Sequence, residues 1–159
     1  MEPRWLDEDE QQTWITMASV LTRLPQVLEA QLQADAGLSL FEYLVLSKLS
    51  MAPDRTLRMS ELARYAEGSL PRLSQVVSRL EKRGCVRRKP DPADGRYTLA
   101  VLTDDGFAKV AATAPGHVET VRRLIFDPLT KAQHRQLGEI NRRIMRAADP
   151  GGPVDWKIS

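Results

Sequence analysis

The chain has 159 residues, of which 42% are hydrophobic and 28% are charged, and its formal net charge is +2. That length fits one domain, or one domain with a dimerisation arm, and the composition excludes an intrinsically disordered chain. No apolar run approaches the roughly 20 residues that cross a bilayer, and the acidic N-terminus lacks the features of a secretory signal. We therefore expect a cytoplasmic protein. Its single cysteine excludes a disulfide framework or a multi-cysteine zinc site.

Charge is distributed unevenly along the chain. Residues 1–20 contain five acids and one base, whereas residues 69–96 contain eight bases and three acids. A concentrated basic segment is expected of a surface that meets phosphate groups. A solvated charged face would give the same pattern, so charge alone does not decide between the two.

The first predicted element is a long helix over roughly residues 7–34. Apolar residues recur at steps of three and four from Trp14 to Leu32, which is typical of one buried helical face. Pro25 lies inside this pattern and should kink the helix, because proline has no N–H and its ring disturbs the preceding turn. Gly37 should end the segment.

Two shorter helices are predicted to follow. Ser39 and Glu42 have the spacing of a capping box, which starts a second helix that runs to about Met51. Ser60 can cap a third helix over residues 61–67. Each of these helices has an apolar side that a small core could bury.

The fourth helix completes a helix-turn-helix. Ser69 can cap it, Gly84 closes it, and Gly68 lies in the short turn before it. Its predicted buried face consists of Leu70, Leu73, Val76, Val77 and Leu80.

A basic hairpin is predicted after the fourth helix. Residues 86–89 and 97–102 both suit extended structure, and Leu99 and Val101 share one face of the second strand. The loop between them, residues 90–96, contains two prolines and an Asp-Gly pair, which are typical of a turn. Such a hairpin beside a helix-turn-helix is a wing.

The C-terminal part is predicted to be helical. Thr103 can cap a long fifth helix, which should be interrupted or kinked at Pro115 and should end near Asp127. A second capping box, this one Thr-x-x-Gln from Thr130, starts a sixth helix. We expect the Pro- and Gly-rich tail, residues 149–159, to be flexible.

The outer face of the fourth helix has side chains that suit DNA recognition. Its members are small or can donate hydrogen bonds, and no acid lies among them before Glu81. Arginine can bond guanine in bidentate fashion, and glutamine can pair with adenine. We predict base contacts from Arg72 and Gln75. Contacts to phosphates or bases are predicted for Ser69, Pro71, Ser74, Ser78, Arg79 and Arg88. An ordinary amphipathic surface helix would share this pattern.

The tip of the hairpin places a cation where an extended arm could enter the minor groove. Arg96 can carry its guanidinium into narrow A·T stretches, where negative potential is concentrated. Asp94 stands two residues earlier and is placed to hold Arg96 by a charge-assisted hydrogen bond. A solvated turn acid without a partner is the alternative interpretation of Asp94.

Taken together, these segments resemble the MarR family of bacterial transcriptional regulators. The resemblance covers about residues 13–145. Its most specific parts are the helix end Leu-Glu-x-x-Gly at residues 80–84, the basic strand, the wing sequence of residues 91–96, and the Leu-Thr pair at residues 102–103. Residues 124–130 also look like the family's. The chain departs from the pattern at Cys85, where an aliphatic or aromatic residue is more usual.

The resemblance implies a fold and a function. The fold is mainly α with a small β-hairpin wing, that is, a winged helix-turn-helix (residues 39–102) in a single domain. The dimerisation helices would be residues 7–36 and 104–148. It implies a homodimer on a pseudo-palindromic double-stranded DNA site, with recognition helices in major grooves and wings, through Asp94 and Arg96, in minor grooves. It also implies a repressor that a small aromatic or anionic ligand releases.

Candidate residues of an effector pocket follow from the same resemblance. They are Trp14, Met17, Phe41, Tyr43, Leu44 and His117, although an apolar stripe at helical spacing is more often core. Cys85 is expected to be a buried and inert thiol, since free cysteine is usually buried. A redox switch there would need a thiolate stabilised by nearby arginines.

Two other functions compete with DNA binding. A helical protein-interaction dimer could keep the winged shape without binding DNA. An enzyme is not expected, because the sequence has no Gly-rich phosphate loop, no G-x-S-x-G and no H-E-x-x-H motif. We expect no cofactor and no metal, because the two histidines lack ligand spacing.

Overall fold

The computed structural model describes residues 2–65 and 69–152. In these residues six α-helices accompany one small antiparallel sheet of three strands, which confirms the predicted fold class. The helices are α1 (Glu8–Ala36), α2 (Leu40–Met51), α3 (Met59–Tyr65), α4 (Leu70–Lys82), α5 (Asp104–Val121) and α6 (Lys131–Ala148). The strands are β1 (Thr56–Arg58), β2 (Val86–Pro90) and β3 (Thr98–Leu102).

The first two helices begin at capping boxes. That of α2 is the predicted pair, in which Ser39 Oγ accepts from the Glu42 N–H and Glu42 Oε2 accepts from the Ser39 N–H, both at 3.0 Å. Asp7 caps α1 in the same way. The helix runs through Pro25 without a break and ends at Gly37, whose φ of 62° is the left-handed conformation that favours glycine.

Strand β1 is absent from the sequence-based prediction. It follows a 3₁₀ turn at Pro53–Arg55 and pairs antiparallel with β3, with Thr56 opposite Val101 and Arg58 opposite Leu99. Three residues are too few for an alternating pattern to indicate a strand. The sheet order is β1-β3-β2, so the second strand of the hairpin is central. Because β1 immediately precedes α3, its pairing with β3 joins the helix-turn-helix to the wing.

Both helices of the predicted helix-turn-helix are present, with two corrections. α3 begins at Met59, so Ser60 lies inside its first turn and does not cap it. The predicted end of this helix, residues 66–67, and the predicted turn residue Gly68 lie outside the described residues. Leu70 is 50% exposed rather than buried, because the contact of α4 with the core begins one turn later, at Leu73.

One hydrophobic core connects the helix-turn-helix, the sheet and the long helices. It takes residues from the end of α1, from α2, α3 and α4, from β2 and β3, and from α5. Its largest fully buried side chains are Leu32, Leu38, Val45, Leu46, Leu49, Leu62, Leu73, Val77, Leu80 and Val86. α4 is thereby held by its apolar side, which leaves the opposite side for solvent or a partner.

Helix α5 is not interrupted at Pro115, so that part of the prediction is wrong, while a kink there stays a prediction. Thr103 caps the helix as predicted, and the helix continues through Pro115 to Val121, where it passes into a π-turn at Arg122–Phe126. A proline removes one backbone hydrogen bond. The packing of α5 against α1 and α2 outweighs that loss.

The first turn of α5 lies directly on the base of the hairpin. A Cβ atom at Gly106 would overlap the backbone carbonyl of Cys85 and the side chain of Leu102. Backbone atoms cannot move aside as a flexible side chain can, so only glycine fits this approach.

Helix α6 stands apart from the rest of the chain. It starts at the predicted Thr130 capping box, and none of its residues is buried. Ile140, Ile144 and Met145 are 52%, 41% and 40% exposed. Of the predicted tail, residues 149–152 form a turn and residues 153–159 lie outside the described residues.

Candidate nucleic-acid interface

Helix α4 presents an exposed face without acidic side chains. Its N-cap Ser69 accepts a hydrogen bond of 3.3 Å from the Arg72 N–H. The apolar side carries Leu73, Val76, Val77 and Leu80 into the core. From the N-cap to the end of α4, the exposed positions are Ser69, Leu70, Pro71, Arg72, Gln75, Arg79 and Lys82, which include five of the predicted contact residues.

The remaining predicted residues of this region bond to one another. Arg88, on β2, donates from Nη1 to Ser74 Oγ at 3.0 Å and from Nη2 to Ser78 Oγ at 2.8 Å. Its Nε donates to Glu81 Oε1 at 2.7 Å. All four side chains are partly buried. In this conformation Arg88, Ser74 and Ser78 fasten α4 to the wing, a role that the sequence pattern did not reveal.

A buried carboxylate fastens the other side of α4. Glu42 is 8% exposed, and its Oε1 lies 3.4 Å from Arg79 Nε while its Oε2 lies 3.6 Å from Arg83 Nη1. Arg83 Nη1 also donates to the carbonyl of Gly37 at 2.9 Å, at the end of α1. Sequence reasoning identified Glu42 only as a capping residue, because no local pattern relates it to partners about 40 positions away.

The predicted contact at the tip of the wing is present. Arg96 donates from Nε to Asp94 Oδ1 at 3.0 Å and from Nη2 to Asp94 Oδ2 at 2.7 Å. These hydrogen bonds are the main reason that the pKa of Asp94 is lowered from its ordinary value. The Arg96 side chain is nevertheless 84% exposed, so the carboxylate orients the guanidinium without covering it.

A cavity of about 580 Å³ lies where α1, α2 and α4 meet. Its walls combine apolar and polar groups. They are formed by Pro25, Gln26, Glu29, Ser39, Leu40, Phe41, Leu44, Arg72, Gln75, Val76 and Arg79. The guanidinium of Arg72 lies 4.8 Å from the centre of the Phe41 ring. The cavity therefore shares three side chains with the exposed face of α4, and it includes Phe41 and Leu44 of the predicted effector pocket.

The other predicted pocket residues lie elsewhere. The rings of Tyr43 and His117 are 4.5 Å apart between α2 and α5, and His117 Nδ1 lies 3.3 Å from Gln31 Oε1. Burial lowers the pKa of His117 and raises that of Tyr43. Met17 is half-buried, whereas Trp14 is 54% exposed and lines a separate shallow depression on α1.

Three further expectations concern metals, membranes and the thiol. Among residues 2–65 and 69–152, no group of three His, Cys, Asp or Glu side chains is placed to hold a metal ion. No helix in the same residues has the length and apolar character of a membrane span. The thiol of Cys85 is buried as expected, and its Sγ lies 3.8 Å from the carbonyl of Arg83.

This geometry and the sequence that produces it are similar to those of known proteins. The sequence model of the MarR family matches residues 36–96, which span the end of α1 to the tip of the wing. Sco3205 of Streptomyces coelicolor, a MarR family transcriptional regulator whose crystal structure is of a complex with DNA, is 47% identical, with 94% of each chain covered and a TM-score of 0.91. The chain belongs to the MarR family.

Two other relatives agree with this assignment. AbsC of Streptomyces coelicolor, also a MarR family transcriptional regulator, is 35% identical over 92% of this chain and 98% of its own, with a TM-score of 0.88. YdcH of Bacillus subtilis, an uncharacterised HTH-type transcriptional regulator, is 32% identical over 94 residues. That match spans 59% of this MarR-family chain and 63% of the length of YdcH.

Proposed function

We propose that this MarR-family chain binds double-stranded DNA as a homodimer and represses transcription. The proposal rests on the observation that two cationic surfaces of the chain are held together. The acid-free face of α4 and the Arg96 tip belong to one rigid unit, because Arg88 of the hairpin bonds to Ser74 and Ser78 of the helix. The DNA complex of Sco3205, at 47% identity, supports the same function.

The exposed residues divide by the chemistry of their side chains. Arg72 and Gln75 contact base edges in the major groove, while Ser69 and Arg79 donate to the phosphate backbone beside them and the apolar ring of Pro71 makes only van der Waals contact. Arg96 enters the minor groove, oriented by Asp94. A dimer bound to a promoter would exclude other proteins from it, which is the basis for proposing a repressor.

The dimer would be formed by α1, α5 and α6. α6 buries none of its own residues, yet it exposes an apolar stripe, and α1 exposes Trp14, Ile15 and Leu21 by half or more. Exposed apolar patches of this kind mark protein–protein contacts. A two-fold axis would present two copies of α4 and of the wing, so we expect a DNA site with two-fold symmetry.

Selection of bound fragments from a random DNA pool tests the proposal. The bound sequences should converge on a two-fold motif, and log affinity should fall linearly with log salt, with a slope of about −0.9 per neutralised phosphate. If the protein is a normal dimer that retains no DNA at low salt, the alternative of an interaction dimer without DNA binding replaces the proposal.

Replacement of Asp94 by asparagine tests the role of the wing. Removing a negative charge near phosphates should strengthen binding by charge alone. We expect the opposite, a loss of DNA affinity of roughly two- to tenfold. Without Asp94 the Arg96 side chain would have to become ordered on binding, which costs a free energy of about 0.5–1.5 kcal/mol. Asp105→Asn removes the same charge from an exposed site on α5 and serves as the matched control. Titration of labelled operator by fluorescence anisotropy gives both affinities, and tighter binding by D94N would contradict the proposed role.

We also propose that a small aromatic anion binds the cavity between α1, α2 and α4 and opposes DNA binding. Phe41, Leu44 and Val76 offer apolar walls, and Arg72 and Arg79 offer cations to a carboxylate. Benzoate should raise Tm and weaken operator binding, whereas neutral benzamide should do neither. Phe41→Ala should abolish the response to benzoate. An equal response to the acid and the amide would contradict an anion site.

A further inference from the structure

The start of the wing loop, directly after β2, contains a carboxylate that is buried although it lies in a surface hairpin. Asp91 is 8% exposed, and its Oδ1 accepts a hydrogen bond of 2.9 Å from the Ala93 N–H. Its own N–H donates to the carbonyl of Tyr97 across the hairpin at 2.9 Å. A carboxylate is buried only at a cost, which its partners must offset. The groups around Asp91 therefore determine whether the wing keeps this shape.

Arg58 supplies the cation. Its Nε donates to Asp91 Oδ2 at 2.8 Å, and its guanidinium lies 4.2 Å from the centre of the Tyr97 ring. Asp91 is on the first limb of the wing and Tyr97 on the second, so one side chain contacts both limbs. The positive charge of Arg58 also contributes to lowering the pKa of Asp94, which orients Arg96 at the tip.

The backbone of Arg58 links this contact to the helix-turn-helix. Arg58 is the last residue of β1 and immediately precedes α3, and its N–H donates to Glu61 Oε2 at 3.2 Å. In the sheet it lies opposite Leu99 of β3. The Arg58 side chain therefore joins the start of α3, the first helix of the helix-turn-helix, to the wing. Its partner Asp91 lies about 30 residues further along the sequence.

An ordinary surface ion pair would contribute little to the position of the wing. The Arg58–Asp91 pair differs because the Asp91 side chain is only 9% exposed, although that of Arg58 is 37% exposed. Removing the cation would leave a buried carboxylate with one partner fewer, which is more costly than losing a solvated pair. The stacked Tyr97 ring adds a second contact that depends on the planar guanidinium.

We propose that Arg58 is a positioning residue for DNA binding, which fixes the wing at the angle that brings Arg96 to the DNA. This inference rests on the proposed function, since a wing can be positioned for DNA only in a DNA-binding protein. Arg58 acts through Asp91 and Tyr97 and need not touch DNA itself.

A double-mutant cycle tests this proposal. Arg58→Met should weaken operator binding by about tenfold, of the order of one charge-assisted hydrogen bond. In the background of Arg96→Ala the same change should weaken binding by less than about twofold, because no wing arginine remains to be positioned. Asp91→Asn should also weaken binding, although it removes a negative charge near phosphates. Arg64→Met, which removes an exposed cation from α3, is the matched control and should change affinity by less than about twofold.

Three outcomes would overturn the proposal. If the losses from R58M and R96A simply multiply, Arg58 acts independently of the wing arginine, as a direct phosphate contact would. If D91N binds DNA more tightly than the wild type, the carboxylate is not a positioning partner. If the amide hydrogens of Ala93 and Tyr97 exchange as slowly in R58M as in the wild type, the wing does not depend on Arg58. Exchange is measured without DNA, so a protein that failed to bind DNA would refute the proposed function while this measurement still decided whether Arg58 holds the wing in place.

Discussion

Glutamates in place of Ile140 and Ile144 should convert the protein to a monomer and lower its affinity for a two-fold DNA site by about a thousandfold or more. Both isoleucines are about half exposed on a helix that contacts little of its own chain. Charges on this stripe would have to be buried in the dimer. A monomer offers one copy of α4 and one wing, and its binding should approach the non-specific level, which is roughly 10³-fold or more weaker.

The matched control changes the same charge on the other side of the helix. Arg142→Gln with Arg146→Gln also lowers the net charge by two, and at about 100° per residue these positions face away from Ile140 and Ile144. Analytical ultracentrifugation should find the control variant dimeric and the glutamate variant monomeric. A glutamate variant that stays dimeric and keeps full DNA affinity would show that α6 is not part of the dimer contact.

Alanines at both Arg72 and Gln75 should weaken operator binding by about a hundredfold and flatten the base preference at the positions that these residues read. Each bidentate contact to a base edge contributes about 1–3 kcal/mol of discrimination. Both side chains are exposed on the acid-free face of α4, so their removal leaves the core and the hydrogen bonds of Arg88 in place. Repeating the DNA selection with the double variant measures the change in preference directly.

Arg96→Ala provides the comparison for that experiment. It should weaken binding at all sequences to a similar extent and reduce the salt slope of the dimer by about two, one for each wing, because a minor-groove cation contributes mainly charge. A selected motif that is unchanged in the Arg72 and Gln75 variant would mean that α4 does not read bases. The sequence specificity would then have to come from the wing or from the shape of the DNA.

Local signals in the sequence predicted most of the fold. The capping residues Ser39, Ser69, Thr103 and Thr130 all occupy the predicted positions, because a cap depends on residues three positions apart. The contact of Asp94 with Arg96 was predictable for the same reason, since two residues separate them. The prolines were less informative about where helices end, because α1 and α5 continue without a break through Pro25 and Pro115.

Long-range contacts were beyond the sequence. β1 has only three residues and exists because β3 offers a free edge, and Arg58, Glu42 and Arg88 find partners that chain order does not bring together. Arg88 shows the limit most clearly. Its charge and its place after α4 suggest a DNA contact, but the two nearby serines and Glu81 each accept a hydrogen bond from one of its three guanidinium nitrogens. Which arginines face outwards is decided by packing, which a single sequence does not display.

The missing side chain at Gly106 has a mechanical consequence. The first turn of α5 packs directly against the Cys85 carbonyl at the base of the hairpin. Helix α5, which would help to join two protomers, therefore cannot slide along the hairpin. If the first turn of α5 shifted, the hairpin would have to move with it. The separation between the two wings of a dimer would then be set by the angle between its long helices. A small rotation of one subunit against the other would change the length of DNA between the two wings.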